Sequence, residues 1–479
     1  MMGLWKNEHN EFEPAKRQGD VCNNVMLVPG PAGAGKSYLI DCLVAECQER
    51  FHEKTGKIGF VHIVAPTGKA AMGAGGYTLQ SKAGLSVPCK DLTRADRNKL
   101  SSGDLKSLQE DLNYQGKIHL ERRQLIAVVI DEHSMASSSQ LYWISRRLQE
   151  ATVNEVDAFG GVCIAMFGDR GQLPPVGGTP LWRIDGDRGK SKISGVPRIG
   201  HELYMGIETV MELSVVRRQS GPYRDALMRL RDGKTTEEDW RDFWNKNCSS
   251  ESMGERRCNG EFLSDPNTLF LFSNNEACLE RNKESIKRLN EPIVRIAAQH
   301  DDIKDSKSSS KSSEVCGDLA KTLYVSVGCK IMLRRNLATN KGLVNGSVGF
   351  VKDIVYNDAD DPSSFLMPRS IIVDFESYTG PPYFTEEGRE KWIPLIPQKQ
   401  FIDRVKGTYR RQYPICIAYA ITVHKSQGMT VRGKVVVEIG DKETTSGFLY
   451  VASSRTTAIE NLCLGKSKPF DRWTTKLQT

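Results

Sequence analysis

The segment Gly30-Pro31-Ala32-Gly33-Ala34-Gly35-Lys36-Ser37 constrains the fold more than any other part of the chain. It matches G-x-x-x-x-G-K-[ST], and it stands between an apolar run, Val25–Val28, and a helical pattern over Ser37–Arg50. A strand that turns through glycines into a helix is the context this loop requires. The glycines let the main chain wrap close to phosphates with its N–H groups pointing inward. The start of the helix adds a dipole favourable to an anion. Lys36 is placed to reach the β- and γ-phosphates, and the Ser37 hydroxyl to ligate Mg²⁺. The whole octet is therefore expected to bind ATP as substrate with Mg²⁺ as cofactor.

A loop of this kind needs a parallel sheet behind it, and the sequence supplies one. Ile58–Ala65, Leu125–Ile130, Val162–Phe167 and Val210–Leu213 read as further buried strands, with a helix predicted over Ser139–Thr152. In that helix Leu141, Ile144 and Leu148 repeat at helical spacing, away from Arg146, Arg147 and Glu150. Strand–helix alternation implies parallel strands joined by crossover helices. The segment 77–116 interrupts the rhythm with mixed charges and reads as a small insertion.

At 479 residues the chain has room for about two to four domains. The 39% hydrophobic and 26% charged content is that of an ordinary globular protein. No run of about 18 apolar residues is present, so no membrane helix is expected. The first 20 residues carry Glu8, Glu11, Glu13 and Asp20 and no apolar core, unlike a secretory signal or a transit peptide. An intracellular location is expected. The twelve cysteines contain no C-x-x-C pair, which excludes the usual zinc and iron–sulfur spacings and points to reduced thiols. The charge, 66 basic against 59 acidic residues or +7, permits a nucleic-acid partner without demonstrating one.

Two further elements carry chemistry. Ile126–Ile130 ends in Asp131-Glu132, about 95 residues after Lys36. An acidic pair at a strand end can put one carboxylate on Mg²⁺ and the next beside the attacking water. Asp131 is read as the metal partner and Glu132 as the general base. His133 beside them is given no task. Then comes Gly168-Asp169-Arg170-Gly171-Gln172-Leu173-Pro174-Pro175-Val176, a strand end stiffened by two prolines. A glutamine amide fixed there is suited to sense the γ-phosphate or the attacking water, although a simple turn fits the same residues.

The order of these three elements resembles motifs one to three of superfamily 1 helicases, and more specifically the Pif (petite integration frequency) family. Phe159-Gly160-Gly161 is similar to an F-G-G of that family. Ala65–Ala71 resembles motif Ia, Arg218-Gln219 motif four, and Gly342–Gly346 with Gly349 the family's L-x-N-G-x-x-G element. Ala418–Thr430 resembles motif five, and Tyr450–Arg455, YVASSR, motif six. The resemblance spans about residues 25–465. Departures stand at His133, where an apolar residue is usual, at Arg170 or Gly171, where an aromatic is usual, near Gln80, where a histidine is usual, and at Ser453, where Leu is common.

The resemblance implies an α/β protein of two RecA-like P-loop motor domains with small inserted domains, one of them a β-barrel in the second motor domain. The expected division is 1–205 for the first motor domain and 206–300 with 413–479 for the second. A Ser/Lys-rich loop is expected over 301–320 and the barrel over 321–412. Arg218 and Arg455 would reach from the second motor domain to the γ-phosphate. Thr67 and Lys69, with Thr422, His424, Lys425 and Ser426, would contact a single strand. The basic run Lys399–Arg411 either lines the nucleic-acid path or is a solvated face. The implied activity is ATP-dependent unwinding of DNA with 5′-to-3′ translocation on single-stranded and forked DNA. A monomer is expected, in the nucleus if the host is eukaryotic, with work in replication, recombination, repair and telomere maintenance. A RecD-like or transposon-type helicase subunit, and an ATP-switched clamp without unwinding, are the alternatives.

Overall fold

The structure, a computed structural model, describes residues 24–56, 58–66, 77–78, 123–183, 195–245, 265–300, 319–338, 341–343, 346–356, 367–403, 408–431, 433–438 and 447–465. The chain forms two compact units. One comprises Met1–Arg257, Ser426–Arg432 and Asp441–Thr479, and the other Cys258–Lys425 and Gly433–Gly440.

The first unit is built on six parallel strands: β1 (Val25–Pro29), β2 (Ile58–Ala65), β3 (Tyr77–Thr78), β4 (Arg123–Ile130), β5 (Cys163–Gly168) and β6 (Thr209–Val210). Their order is β3-β2-β4-β5-β1-β6. Apolar runs suit these strands because both faces are covered. Val25 and Leu27 point to one face with Leu141, Ile144 and Leu148 of α2 (Ser138–Thr152). Met26 and Val28 point to the other, with Ile40 of α1 (Lys36–Thr55). This alternation is the two-residue period of a strand. Parallel pairing puts the ends of β1, β4 and β5 along one edge of the sheet, where ligands of such folds bind. The P-loop, Asp131-Glu132 and Asp169–Gln172 all leave from there.

Local devices aim these loops. Ser137 Oγ accepts from the Gln140 N–H and Gln140 Oε1 from the Ser137 N–H, a capping box that starts α2 six residues after Asp131. Phe159, Gly160 and Gly161 adopt φ of 56°, 63° and 74°. A Cβ at Gly160 would lie 2.7 Å from the Leu148 carbonyl oxygen, so the F-G-G is a packing notch between α2 and β5. Arg147, expected away from the apolar face, is buried and ion-paired with Glu150 at 2.5 Å. The helices α3 (Val196–Met205) and α4 (Gly221–Arg231) follow, and one further turn, Glu237–Asp239, runs into a π-helix, Trp240–Asn245.

The second unit has a small parallel sheet and three antiparallel ones. The parallel sheet contains β7 (Leu269–Phe272) between β18 (Ala420–Thr422) and β19 (Val435–Glu438). Against it lies α5 (Asn275–Lys287), whose Asn282 exchanges two hydrogen bonds with the Ala420 main chain at 2.8 and 2.9 Å. Five strands, β11 (Lys330–Leu333), β12 (Val348–Val355), β13 (Ser370–Phe375), β14 (Trp392–Leu395) and β17 (Ile415–Ile417), form an antiparallel sheet of order β14-β13-β12-β11-β17. The remaining pairs are β8 (Val294–Ala297) with β10 (Thr322–Val325), and β9 (Gln299–His300) with the β15–β16 hairpin (Gln398–Asp403, Thr408–Gln412). Ile331, Val351, Ile371, Val373 and Phe375 lie in one apolar core.

The expected β-rich insertion is present, but its main sheet is open, with β14 and β17 as edges, and no barrel closure occurs among the described strands. Most of the 77–116 segment and residues 301–318 lie outside the described residues. Residues 206–257 and 441–479 pack with the P-loop unit, for reasons given by their hydrogen bonds below. Six of the described cysteines are free, but Cys463 is disulfide-bonded, against the expectation of reduced thiols throughout.

Candidate nucleotide site

The P-loop turns on Gly33 and Gly35, at φ of 79° and 85°. Both lie in the left-handed region that side chains disfavour. Lys36, buried, donates from Nζ to the carbonyls of Gly30 (2.7 Å) and Pro31 (3.0 Å), which hold its ammonium across the loop. The Gly30 N–H donates to the Gly168 carbonyl at 2.9 Å, tying the loop to the end of β5. Ser37 is exposed into the cavity described below.

Asp131 and Glu132 are both buried, and the Glu132 N–H donates to Asp131 Oδ1 at 2.8 Å. Burial, with the Glu132 charge beside it, pushes the Asp131 carboxyl up to about 7. A cation there would relieve that strain, and a hydroxyl plus a carboxylate is an oxygen donor set suited to Mg²⁺. No cluster of three or more His, Cys, Asp or Glu residues able to hold a metal occurs among the described residues. Glu132 itself sits at φ 49°, ψ 44°, an unusual conformation for a non-glycine residue that often marks functional sites. His133 is fully buried, and burial lowers its imidazole to about 4, so it is neutral. Its Nε2 lies 3.4 Å from the Tyr204 hydroxyl, which accepts from Arg170 Nε at 3.0 Å. Two of the departures from the family pattern thus meet one tyrosine.

Segments far apart in sequence close over the loop. The Arg217 N–H donates to the Gly33 carbonyl at 2.8 Å. A Cβ on Gly33 would fall 2.5 Å from that of Arg218, so only glycine fits under this arginine. Arg218 donates to the Ser454 carbonyl at 3.0 Å, while Gln219 Nε2 donates to those of Ser454 and Thr456 at 3.1 and 2.7 Å. Arg455 is fully buried and donates to the carbonyls of Val451, Ser426 and Met429 and to Ser454 Oγ. Burial, with Arg218 nearby, lowers its guanidinium to about 10, still charged at neutral pH.

Ala32, Gly33, Gly35, Lys36, Ser37, Glu132, Gln172, Arg218 and Arg455 line one cavity of about 490 Å³ within the first unit. Gln172 is buried, and its Oε1 has no hydrogen-bond partner. Arg218 and Arg455 face this cavity and fall in the same compact unit as the P-loop.

Of the residues expected on a strand of DNA, Thr67 and Lys69 lie outside the described residues. Thr422 is buried, His424 half-buried and Lys425 exposed, at the end of β18 in the second unit. Ser426 is buried in the first unit, where its carbonyl serves Arg455. In the basic run, Arg410 is fully buried and donates to the Leu319 carbonyl at 3.0 Å, so it is a structural residue of the hairpin. Lys399 lies over the Tyr409 ring at 4.2 Å.

The residue reading missed three groups at the site. Gln427 Nε2 donates to Glu132 Oε2 at 3.2 Å, the Tyr450 hydroxyl touches both Ala32 and Asp169, and Arg231 pairs with Asp169 at 2.8 Å. Gln427 and Tyr450 stood inside quoted motifs, and only their position in the folded chain gives them partners.

This sheet, loop and acidic pair define a P-loop ATPase of the RecA-like motor class, and an AAA domain family model matches residues 15–178. The chain is 27% identical to the ATP-dependent DNA helicase Pif1 of Campylobacter jejuni, over 93% of this chain and 89% of that protein. It is 25% identical to the zebrafish PIF1 helicase, over 94% of this chain and 60% of that one. Among solved structures, the Pif1 helicase from Candida albicans superposes with a TM-score of 0.70 at 21% identity, covering 94% and 93% of the two chains. A Bacteroides Pif1 in complex with ADP-AlF3 and single-stranded DNA gives 0.60 at 23% identity, covering 95% and 90%. Over most of its length the chain is similar to Pif1 DNA helicases, and it shares their two-domain RecA-like α/β fold.

Proposed function

We propose that this protein is an ATP-dependent DNA helicase that moves 5′ to 3′ on single-stranded DNA and opens forked duplexes. The observation that carries the reading is the lining of the 490 Å³ cavity, where a P-loop lysine, a buried glutamate, a buried glutamine with a spare acceptor and two arginines face one space. Lys36, Arg218 and Arg455 supply positive charge where γ-phosphate charge develops, and such groups act strongest in a desolvated site. Glu132 takes the proton of the attacking water, and Gln172 orients that water. Ser37 and Asp131 would hold Mg²⁺, which would supply positive charge to the phosphates. Thr422, His424, Lys425 and Ser426, with Thr67 and Lys69, are proposed to meet the DNA backbone. Burial lowers the His424 imidazole from its ordinary value.

The motor domains are proposed as 1–205 and 206–300 with 413–479, and the protein as a monomer inside the cell, nuclear in a eukaryote, serving DNA replication, recombination, repair and telomere maintenance. A strand-displacement assay tests the reading. A fork with a 5′ single-stranded tail should be unwound with ATP and not without it, whereas a 3′ tail should not support unwinding. DNA-stimulated hydrolysis without displacement on either substrate would make the protein an ATP-switched clamp instead.

A further inference from the structure

One buried hydroxyl joins parts of the nucleotide site that the sequence keeps 418 and 281 positions apart. Tyr450 accepts from the Ala32 N–H at 2.8 Å and donates to Asp169 Oδ2 at 2.9 Å. Its side chain is 2% exposed, and Asp169 is fully buried. Asp169 Oδ1 accepts from Arg231 Nε at 2.8 Å and from the Gly171 N–H at 3.0 Å. The Asp169 main-chain carbonyl accepts from the Gln172 N–H at 3.0 Å. One carboxylate residue thus sets the backbone on the way to Gln172 from both its side chain and its main chain.

We infer that Tyr450 is a positioning residue that ties the crest of the P-loop to the turn carrying Gln172, so that the loop's position sets the aim of that amide. The inference rests on the ATPase reading above. Three observations carry it beyond mere packing. First, a fully buried carboxylate paired with a partly buried guanidinium is costly to desolvate, and an apolar cluster of the same volume often stabilises a fold as well or better. Second, Gln172 lines the cavity beside Glu132 with a buried oxygen that no described group satisfies. The turn therefore aims a polar atom at the space where the reaction takes place. Third, the short helix Phe448–Ser453, which carries Tyr450, is seated on that turn. A Cβ on Gly447 would lie 2.5 Å from the Gly171 carbonyl oxygen and 3.0 Å from that of Gln172. With glycine there, the helix start and the Gln172 peptide are held in direct contact. A shift of Ala32 when phosphates fill the loop passes to the hydroxyl, to Asp169 and on to Gln172.

Tyr450→Phe keeps the ring and removes the hydroxyl, while Asp169 keeps Arg231 and Gly171. In the full chain with single-stranded DNA, kcat for ATP should fall about tenfold, with affinity for a fluorescent ATP analogue changed less than about twofold, because the loss falls on an interaction felt in the transition state. Gln172→Ala should be slower still, and the double variant should be no slower than Gln172→Ala alone, since residues acting through one group are not additive. Asp169→Asn gives the same comparison if Tyr450→Phe folds poorly. Equal kcat for Tyr450→Phe and an active wild type, or effects that multiply in the double variant, would overturn the inference and leave the ATPase reading standing. A wild type that binds nucleotide but never hydrolyses it would sink both.

Discussion

The two units bury different things. In the second, the interior between β11, β12 and β13 is aliphatic and aromatic, with Ile331, Val351, Ile371, Val373 and Phe375 fully buried. In the first, the apolar layers on either face of the sheet end at the strand tips. There Lys36, Asp131, Glu132, His133, Asp169, Gln172 and Arg455 are buried instead. Apolar burial stabilises a fold at about 25 cal/mol per Å². Buried charge costs free energy unless paired, and natural proteins keep it mainly where chemistry requires it. The contrast teaches where selection acts for stability and where it acts for reaction, and it can be attacked from either side.

The largest effect should come from removing chemistry without removing structure. Lys36→Ala and Glu132→Gln should each lower ATP turnover by about 10³-fold or more, with thermal denaturation little changed for the near-isosteric Glu132→Gln. Glu132→Gln should still bind ATP. Hydrolysis by Glu132→Gln at the wild-type rate would remove the general base from Glu132.

Arg455 is where the two kinds of burial meet. Its guanidinium serves the Val451, Ser426 and Met429 carbonyls as well as lining the cavity. Arg455→Ala should therefore cost about 3 kcal/mol or more of stability in addition to turnover, since several buried acceptors lose their donor. Arg218→Ala, with one carbonyl partner described, should lose turnover with a much smaller drop in Tm. Equal Tm losses for the two would show that Arg455 is no more structural than Arg218.

On the other side, Ile371→Ala should cost about 2–4 kcal/mol through a cavity in the aliphatic core. ATP turnover below the melting transition should be unchanged. A loss of turnover in that folded variant would mean the second unit's core tunes the nucleotide site directly.

The smallest effect lies at the edge of the first unit. Burial would raise the Asp239 carboxyl, but two hydrogen bonds from Arg229, at 2.6 and 2.7 Å, and one from the Thr236 N–H at 3.1 Å override it and hold it below the ordinary range. A depressed carboxylate stabilises the fold above its unfolded pKa of about 3.9 and loses that contribution as pH falls through the lowered value. The Tm gap between wild type and Asp239→Asn should be present at pH 7 and close in acid below about pH 3 to 4. A gap that persists at pH 2 would assign the effect to shape and not to charge.

Much of this was legible in the chain itself, because it depends on neighbours in sequence. β2 falls on the residues its apolar pattern indicates, and α1 and α2 begin one residue from the expected starts. The P-loop is local too, since glycines at fixed offsets before a lysine turn the chain by their own φ freedom. The acidic pair follows from a strand that ends there. The closure of the β-rich insertion could not be read, because β-pairing joins strands of any separation and the alternation of one strand does not name its partner.

What only the tertiary structure decided is who touches whom across hundreds of residues. The sequence placed Arg218 and Arg455 at a phosphate by resemblance, and the fold put them in the P-loop's own compact unit. Gln219 finds the Thr456 carbonyl, Gln427 finds Glu132, and Tyr450 finds Ala32 and Asp169, across 237, 295, 418 and 281 positions. The physical reason is that a buried polar group must be paired, and the partner is chosen by the path of the chain through space and not by its order.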